Sequence, residues 1–395
     1  MNGVREFRRE DIAEVSDLWL KVFRRRQGPA SEPLRNYFHD MFFDDPWRDR
    51  RWPSLVYEER GRGIVGFLGV FPRTMTFDKR PIKVAVATQV MVDEDACPAY
   101  AAVNLIRKFF AGEQDLSYSD GANDAAQNLW KAAGGNVALL NTLAWIRVLR
   151  PTQYAITLLK RRERWTSVAR ALWPVCQAID AAFARTETGR HWLPEVTDTT
   201  VEDGPAEEIL LRCIRQFGGN RALQPEYEPD RFRWLLKKAS EKRMHGELRK
   251  SVVRNAIGEI VGWYLYYVKR GGIGQVLQFG GNPKCIRKVL NQLFYQAWEQ
   301  GAVAVSGRLE PQFATELVQS RCGFIWPGYA VLVQSRNREI LNAIYQGDTF
   351  LSRLEGEWWA RFSDPEWSLE GMPLDAAVRR AGGVREAVRV HAGRC

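Results

Sequence analysis

The chain of 395 residues is roughly two to three times the usual size of one domain, so two packed domains are expected. Its hydrophobic content of 45% and charged content of 26% are typical of a soluble globular protein, and no stretch reaches the ~18 consecutive apolar residues of a membrane span. The net charge of +10 favours an anionic partner, such as a nucleotide cofactor, an RNA or an acidic surface, or serves solubility alone.

The start of the sequence, MNGVREFRREDIAEV, is charged and contains no apolar signal segment, which predicts a cytoplasmic protein. Six cysteines are scattered without CxxC or CxxH spacing, so neither a disulfide framework nor a zinc site is expected. The four histidines form no i,i+4 pair. We therefore predict no metal site.

The first 150 residues show the periodicities of strands and helices in close succession. The predicted order is β-α-α-β-β-β-α-β-α-β-β. In chain order, the segments are VREF, 11–23, 34–43, SLVYEE, GIVGFLGVFP, IKVAVATQVMV, 100–111, DLSYS, a helix after Asn123, and a strand pair between 137 and 149.

From Pro151 to about His191 the sequence is helical and cationic, which indicates a connector. From Pro205 the first order begins again in outline, with two helices, three strands and a further alternation that ends at the strand YAVLVQS. This repetition predicts an α/β protein with mixed sheets and two tandem domains. The predicted parts are an N-terminal domain at 1–150, a basic connector at 151–204, a C-terminal domain at 205–370 and a flexible tail at 371–395.

One stretch, YSDGANDAAQNLWKAAGG at 118–135, combines a strand end, a loop, a helix and a glycine exit. Asn123 is suited to cap the helix, because its side-chain oxygen can accept from the free N–H groups of the first turn. Gly134 and Gly135 then supply a left-handed stop. The apolar face of the helix is formed by Ala126, Leu129, Trp130 and Ala133.

These intervals resemble a terminal segment of the GCN5-related N-acetyltransferase (GNAT) superfamily, Asn-x-x-Ala-x-x-Leu-Tyr-x-x-x-Gly-Phe. The stretch ATELVQSRCGF, at 314–324, echoes the same ending in the second half. The resemblance therefore implies two GNAT-like domains. Trp130 stands where the family often has a tyrosine that reprotonates the coenzyme A thiolate, and an indole cannot take that role.

The family's cofactor loop, Arg/Gln-x-x-Gly-x-Gly/Ala, is altered here. The matching stretch DEDACPAYAAVNL has Cys97, Tyr100 and Ala102 at the motif positions, and Pro98 removes an N–H donor. The helix N-terminus remains as an anion site. The resemblance implies acetyl-CoA or another acyl-CoA as co-substrate, held by Val90, Met91, Val92, Ala99, Tyr100, Ala101, Ala102, Asn123 and Trp130. In the second half, FGGNPKCIRKVL either holds an anion or forms a turn with solvated lysines.

Acyl transfer to an amine requires a base and a polarised carbonyl group. Glu58, Tyr118 and Asp120 are the candidate catalytic residues, because the resemblance implies that they line the V-shaped opening between splayed GNAT strands. Glu58 and Asp120 are otherwise ordinary surface or loop carboxylates. A backbone N–H of Met91 or Val92 would polarise the carbonyl. Gln89 lies near the place where relatives often have a glutamate, and an amide cannot act as a base.

The resemblance implies an acyl-CoA-dependent N-acyltransferase that acts on an amine of a small molecule or sugar. One alternative is a Fem-type enzyme, which takes an aminoacyl group from charged tRNA and would suit the basic KRRER segment. Another is a non-catalytic binding protein. The Trp-rich stretch from Phe350 to Trp367 is either an aromatic wall for a ligand or a cap that packs on the second domain. Neither the acceptor nor the oligomeric state follows from the sequence.

Overall fold

The structure, a computed structural model, describes residues 2–49, 51–96, 98–160, 166–218 and 221–362. The tail predicted at 371–395, most of the KRRER segment and Trp367 lie outside these residues. Among the described helices, none is both long enough and apolar enough to cross a membrane.

The first half of the chain alternates strands with helices and then continues into the connector. Its strands are β1 (Gly3–Glu6), β2 (Leu55–Glu59), β3 (Gly63–Phe77), β4 (Arg80–Val92), β5 (Leu116–Ala122), β6 (Asn136–Val137) and β7 (Ala144–Val148). Its helices are α1 (Ile12–Trp19), α2 (Glu32–Phe42), α3 (Pro98–Phe110), α4 (Asp124–Ala132), α5 (Leu139–Thr142), α6 (Pro151–Lys160), α7 (Thr166–Phe183) and α8 (Glu187–Trp192).

The second half repeats this alternation. Its strands are β8 (Thr200–Asp203), β9 (Leu223–Pro225), β10 (Glu247–Arg254), β11 (Ile260–Val268), β12 (Ile273–Gly281), β13 (Ala304–Arg308), β14 (Gly323–Ile325) and β15 (Ala330–Gln334). Its helices are α9 (Glu207–Gly218), α10 (Pro229–Ser240), α11 (Ile286–Glu299), α12 (Ala314–Gln319) and α13 (Arg338–Gln346). After α13 the chain has little regular structure, and residues 349–362 are called the C-terminal segment below.

Two mixed sheets form the frame, which confirms the predicted fold class. The first sheet has the order β1-β2-β3-β4-β5-β15-β6, with β9 added to β3. The second has the order β14-β7-β13-β12-β11-β10-β8. Each sheet contains one parallel pair among antiparallel neighbours, β4 with β5 in the first and β12 with β13 in the second.

The two halves exchange a strand. β7, from the first half, pairs with β13 and β14 in the second sheet, and β15, from the second half, pairs with β5 and β6 in the first sheet. The strand pair predicted between 137 and 149 is therefore wrong. β6 and β7 lie in different sheets, and α5 separates them. The division into domains at 1–150 and 205–370 stays a prediction, because neither sheet is built from one half alone.

A shared hydrophobic core joins the sheets. It contains buried side chains from α1, α2, α9 and α10, from both sheets and from the C-terminal segment. The far face of the first sheet is covered by α3 and α4, and that of the second sheet by α11 and α12. Trp359 is fully buried in the shared core, so this part of the Trp-rich stretch packs inside the protein.

We predict that Trp145→Ala, in β7, destabilises the protein by about 3 to 5 kcal/mol, because a large cavity would open in the core between the second sheet and helices α11 and α12. Trp145 is fully buried and packs edge-on against Phe279 and Phe294. Urea unfolding would measure the loss. The matched control is Trp326→Ala, at a side chain that is 50% exposed, where we expect a much smaller change. Equal losses in the two variants would contradict the placement of β7 in the second sheet.

Candidate active site

The parallel strands of the first sheet part and leave a cleft. β4 and β5 are paired from Val84–Leu116 to Val86–Tyr118, and in the described chain the pairing ends there although both strands continue. We call the space between 87–92 and 119–122 the first cleft. It is the V-shaped opening that the GNAT resemblance implies.

A bulge shapes the β4 wall of the first cleft. Gln89 has a left-handed φ of 49°. The register of the pairing between β4 and β3 changes here, between Thr88 and Met91 of β4. A bulge redirects the neighbouring backbone groups and often lies beside an active site. The Gln89 side chain donates a hydrogen bond to the Tyr37 hydroxyl in α2, so its amide nitrogen is held toward that helix. The bulge thus lies within the edge of β4 that faces the cleft.

The C-terminal segment places a carboxylate between the two walls of the first cleft. Ser119, on β5, donates a hydrogen bond to Glu357 Oε1 at 2.7 Å. Thr88, on β4, donates a second side-chain hydrogen bond to the same carboxylate. Burial raises the pKa of Glu357, the charge of Asp120 adds to this effect, and Arg361, Ser119 and Thr88 oppose it. Glu357 thus touches both strands at the point where they part.

A buried ion pair lies directly beside the cleft. Arg308, at the end of β13, donates to Asp120 Oδ2 at 2.6 Å and to the Tyr118 hydroxyl at 2.6 Å. The other Asp120 oxygen accepts the backbone N–H groups of Glu357 and Trp358. All oxygens of Asp120 are therefore occupied, and its side chain is fully buried. This aspartate anchors the C-terminal segment to the first sheet.

The two members of the pair occupy equivalent positions in the two halves. Asp120 precedes Ala126 by the same interval as Arg308 precedes Ala314, and these alanines stand at the same position of the motif that the two halves share. Both residues come from the strands that part from their parallel neighbours, β5 and β13. The ion pair therefore joins corresponding points of the two sheets.

The second sheet has a corresponding cleft, and the C-terminal segment fills it. β12 and β13 are paired from Ile273–Ala304 to Gln275–Ser306 and then part. Between them, the Arg353 N–H donates to the Leu277 carbonyl oxygen on β12. From the other side, the Arg308 guanidinium donates to the carbonyl oxygens of residues 351 and 352. The backbone of residues 351–353 thus takes the place that a ligand would need in the second cleft.

Two buried glutamates lie near this second cleft. Glu355 accepts hydrogen bonds from Tyr227, Gln278 and Ser352. Burial raises the pKa of Glu310 to about 8, with Glu355 adding to the effect and Arg308 opposing it. This shift favours the protonated form of Glu310 in the folded protein.

The three candidate catalytic residues do not form one group. Glu58, on β2, pairs with Arg5 at 2.6 Å and lies three strands from β5, about 14 Å away at the usual strand spacing. Tyr118 and Asp120 lie together on β5, and both are engaged by Arg308. Burial raises the pKa of Tyr118 well above its ordinary value, although Arg308 opposes the rise.

Sequence reasoning missed Glu357 and Arg308. Glu357 stands 237 positions from Asp120 along the chain, inside a stretch whose visible signal is its rings. Arg308 ends an apolar strand and looks like an exposed strand terminus. The repeated motif was a usable signal for Arg308, because it aligns this residue with Asp120.

The residues expected to hold the cofactor lie along one path from β4 to α3. Val90, Met91 and Val92 follow the bulge, and Tyr100, in the first turn of α3, is 65% exposed. Ala99 is exposed and Ala102 half-buried, whereas Ala101 is buried in the core, so its side chain cannot touch a cofactor.

The loop before α3 is acidic. It contains Asp93, Glu94 and Asp95, and Lys21 pairs with the first and third at 2.7 Å. Arg62 donates to the Asp95 carbonyl oxygen. These carboxylates oppose an anion at the helix N-terminus, and Lys21 and Arg62 partly offset them.

The motif helix α4 is built as the sequence predicts. The Asn123 side chain accepts the Ala126 N–H at 2.9 Å, and Gly134 has a φ of 96°. Trp130 is buried against Phe110 of α3. A side chain at Gly135 would meet the Trp130 ring at 2.9 Å, so the larger tryptophan is accommodated by a glycine where the family has a phenylalanine. Trp130 therefore belongs to the core beneath the cleft.

One group of possible metal ligands appears among the described residues. His39, Asp40 and Asp44 present ligand atoms within 4.8 Å of one another. His39 Nε2 lies 2.5 Å from Arg9, and its Nδ1 lies 3.3 Å from Asp44. These surface ion pairs account for the group, and the sequence-based expectation of no metal site stays a prediction.

We predict that Asp120→Asn costs about 3 to 5 kcal/mol of stability, because it leaves the Arg308 charge buried without its partner. Combining it with Arg308→Met should cost about 1 to 3 kcal/mol less than the sum of the two single changes. Chemical unfolding of all three variants would measure this coupling. The control is Asp49→Asn, which breaks the exposed Arg51–Asp49 pair and should cost less than about 1 kcal/mol. Additive losses would exclude the ion pair as a joint between the sheets.

We also predict that Glu310 makes the protein less stable as the pH rises. The pKa of Glu310 is about 8 in the folded state and near 4.5 in the unfolded state. Its contribution to stability is therefore complete below pH 4.5 and is lost as the pH rises through about 8. Relative to wild type, the melting temperature of Glu310→Gln should therefore increase between pH 5 and pH 9. Glu94→Gln, on the exposed loop before α3, should show no such trend. A constant difference for Glu310→Gln across this range would refute the prediction.

Comparisons with known proteins identify the type of fold. No protein-family model and no curated protein matches the sequence. In structure, the chain is similar to a conserved protein of unknown function from Enterococcus faecalis V583, described as a probable N-acyltransferase, with a TM-score of 0.56 and 9% identity. That match covers 88% of this chain and 74% of the other.

Two further structures show the same likeness. A GCN5-related N-acetyltransferase from Anabaena variabilis ATCC 29413 matches with a TM-score of 0.55 and 11% identity, over 86% of this chain and 74% of the other. One from Kribbella flavida matches with a TM-score of 0.51 and 11% identity, over 85% and 71%. The chain therefore has the fold of GCN5-related N-acetyltransferases, as the resemblance of its motifs predicted.

Proposed function

We propose that the protein is an acyl-CoA-dependent N-acyltransferase that transfers an acetyl group to an amine of a small molecule or sugar. The observation that carries this proposal is the first cleft, where β4 and β5 part beside the bulge at Gln89. An open strand edge of this kind can pair with an extended chain that carries amides, as the pantetheine arm of coenzyme A does.

Acyl transfer requires few side chains from the strands that line the first cleft. A backbone N–H beyond the bulge, at Met91 or Val92, donates to the thioester oxygen as negative charge develops on it. The phosphates lie toward the first turn of α3, where free N–H groups remain but the glycines of the family loop do not. Trp130 donates no proton to the leaving thiolate, and a thiol with a pKa near ~8.5 can be protonated by water afterwards.

The first cleft is a better candidate than the second. In the second cleft, residues 351–353 occupy the space between the strands and bond to both walls. In the first cleft, the segment also bonds to both walls, but through the Glu357 side chain at Thr88 and Ser119, and the β4 edge that faces β5 has no strand partner beyond Val86 within the described residues. Acyl-CoA is a cytosolic metabolite, so this reaction fits the cytoplasmic location expected from the sequence.

A second candidate donor is an aminoacyl-tRNA, as in Fem-type enzymes. The net charge of +10 favours it, because a basic protein attracts a polyanionic tRNA. The molecule that stays bound to the purified protein distinguishes between the two donors. Coenzyme A in the supernatant of the denatured protein supports the first, and RNA supports the second.

We predict that the wild-type protein binds acetyl-CoA in calorimetry, and that Tyr100→Asp combined with Ala102→Asp abolishes binding. Two added carboxylates in the first turn of α3 would repel the phosphates. The matched control is Lys284→Asp, before α11, which should leave the affinity unchanged. Loss of binding in the control alone would indicate that acetyl-CoA binds in the second half of the chain, near α11.

Turnover is tested by release of free thiol from acetyl-CoA in the presence of spermidine, L-lysine or glucosamine. These probes represent the polyamine, amino-acid and sugar amines that the proposal allows. Acetylation of at least one of them, confirmed by the mass of the product, is expected. Tight binding of acetyl-CoA without any thiol release would indicate that the protein binds acetyl-CoA but does not catalyse the transfer.

A further inference from the structure

We propose that Glu357, carried into the first cleft by the C-terminal segment, is the general base of the transfer reaction. This inference rests on the proposed function and assigns a residue that does not belong to either parallel strand pair. The geometry points to it because Glu357 contacts Ser119 on one wall of the cleft and Thr88 on the other.

The other carboxylates are paired with an arginine or lie near the second cleft. Asp120 gives one oxygen to Arg308 and the other to two backbone N–H groups. Glu58 lies at the far side of the first sheet with Arg5. Glu355, two residues before Glu357, accepts from Tyr227, Gln278 and Ser352 near the second cleft. Glu357 is the carboxylate that the described structure places at the parting of β4 and β5.

The position of Glu357 is fixed by its neighbours. Its own N–H donates to Asp120 at 2.6 Å, and Arg361, four residues later, donates to the Gly121 carbonyl oxygen at 2.6 Å. These two contacts tie the turn that carries Glu357 to the end of β5. The side chain is held in place although the segment itself is not a strand of the sheet.

The environment raises the pKa of Glu357 above its ordinary value, which is the direction that makes a carboxylate a stronger base. Glu357 is 5% exposed, and its burial disfavours the charged form. The charged and titratable groups that face it, or contact the turn that carries it, are Tyr37, Asp120, Lys242, His245 and Arg361. Burial lowers the pKa of Lys242 to about 8 and that of His245 to about 3, so His245 stays neutral. A carboxylate is a more effective base as its pKa approaches the working pH.

Glu357 acts at the start of the transfer, when the substrate amine is still protonated. The carboxylate takes one proton from the substrate ammonium, and the free amine nitrogen attacks the thioester carbonyl carbon. The C–N bond forms and the C–S bond breaks, and the thiolate receives the second proton of the amine by way of water. Glu357 then returns its proton to the solvent. The sum is an ammonium and an acyl-CoA giving an amide, free thiol and one proton.

The test compares Glu357→Gln with wild type, using acetyl-CoA with spermidine, L-lysine and glucosamine. We expect kcat/KM to fall about 100-fold or more, with unchanged binding of acetyl-CoA and a retained cooperative thermal transition. The decline of activity at low pH should disappear. Hydroxylamine, which is largely unprotonated at neutral pH, should react at nearly the wild-type rate. Glu357→Asp should keep part of the activity together with the acid limb of the pH profile.

Glu355→Gln is the matched control, because it removes an equally buried carboxylate from the same segment near the other cleft. It should keep at least a third of the wild-type activity. Retention of activity and of the acid limb in Glu357→Gln would overturn the assignment and leave the proposed function standing. Equal losses in both variants would also overturn it, since they would indicate general damage to the segment. Absence of thiol release by the wild type with every probe would overturn the proposed function and this inference together.

Discussion

The ion pair between Arg308 and Asp120 is the interaction on which the rest of the architecture depends. Removing two charges from water is costly, and the mutual attraction offsets that cost only when both groups are fully hydrogen-bonded. Here Arg308 also binds Tyr118 and two backbone carbonyl groups, and Asp120 also binds two backbone N–H groups. The pair therefore fixes three pieces of chain at once: β5, β13 and the C-terminal segment.

The exchange of β7 and β15 makes the two sheets interdependent in the same way. Each sheet obtains the strand next to its parting strand from the other half of the chain. The C-terminal segment then runs past both clefts, filling the second with backbone and giving the first a carboxylate. The two clefts therefore differ in what occupies them, and the difference arises from a segment that is not a strand of either sheet.

Much of the fold could be predicted because the information is local. The apolar faces of α1 and α4, the cap at Asn123 and the strands β2 to β5 follow from periodicity and turn residues. The strand exchange could not be predicted, because β6 has two residues and the sequence of β7 does not show which sheet it joins. Glu357 was missed for a related reason. Its role follows from contacts across more than 200 positions of chain, which composition and spacing do not record.

The position of β15 has a consequence for synthesis on the ribosome. Ser117 on β5 bonds to Gln334 on β15, 217 positions later. At the usual ~5 to 20 residues per second, this part of β5 waits about 10 to 40 seconds for its neighbour. During that time a row of unpaired backbone groups faces the solvent, on a strand that is largely buried in the folded protein, and can pair with another nascent chain. The length of this wait follows from the position of β15 near the end of the chain, and a chaperone that shields β5 would have to act while the strands of the second sheet are being synthesised.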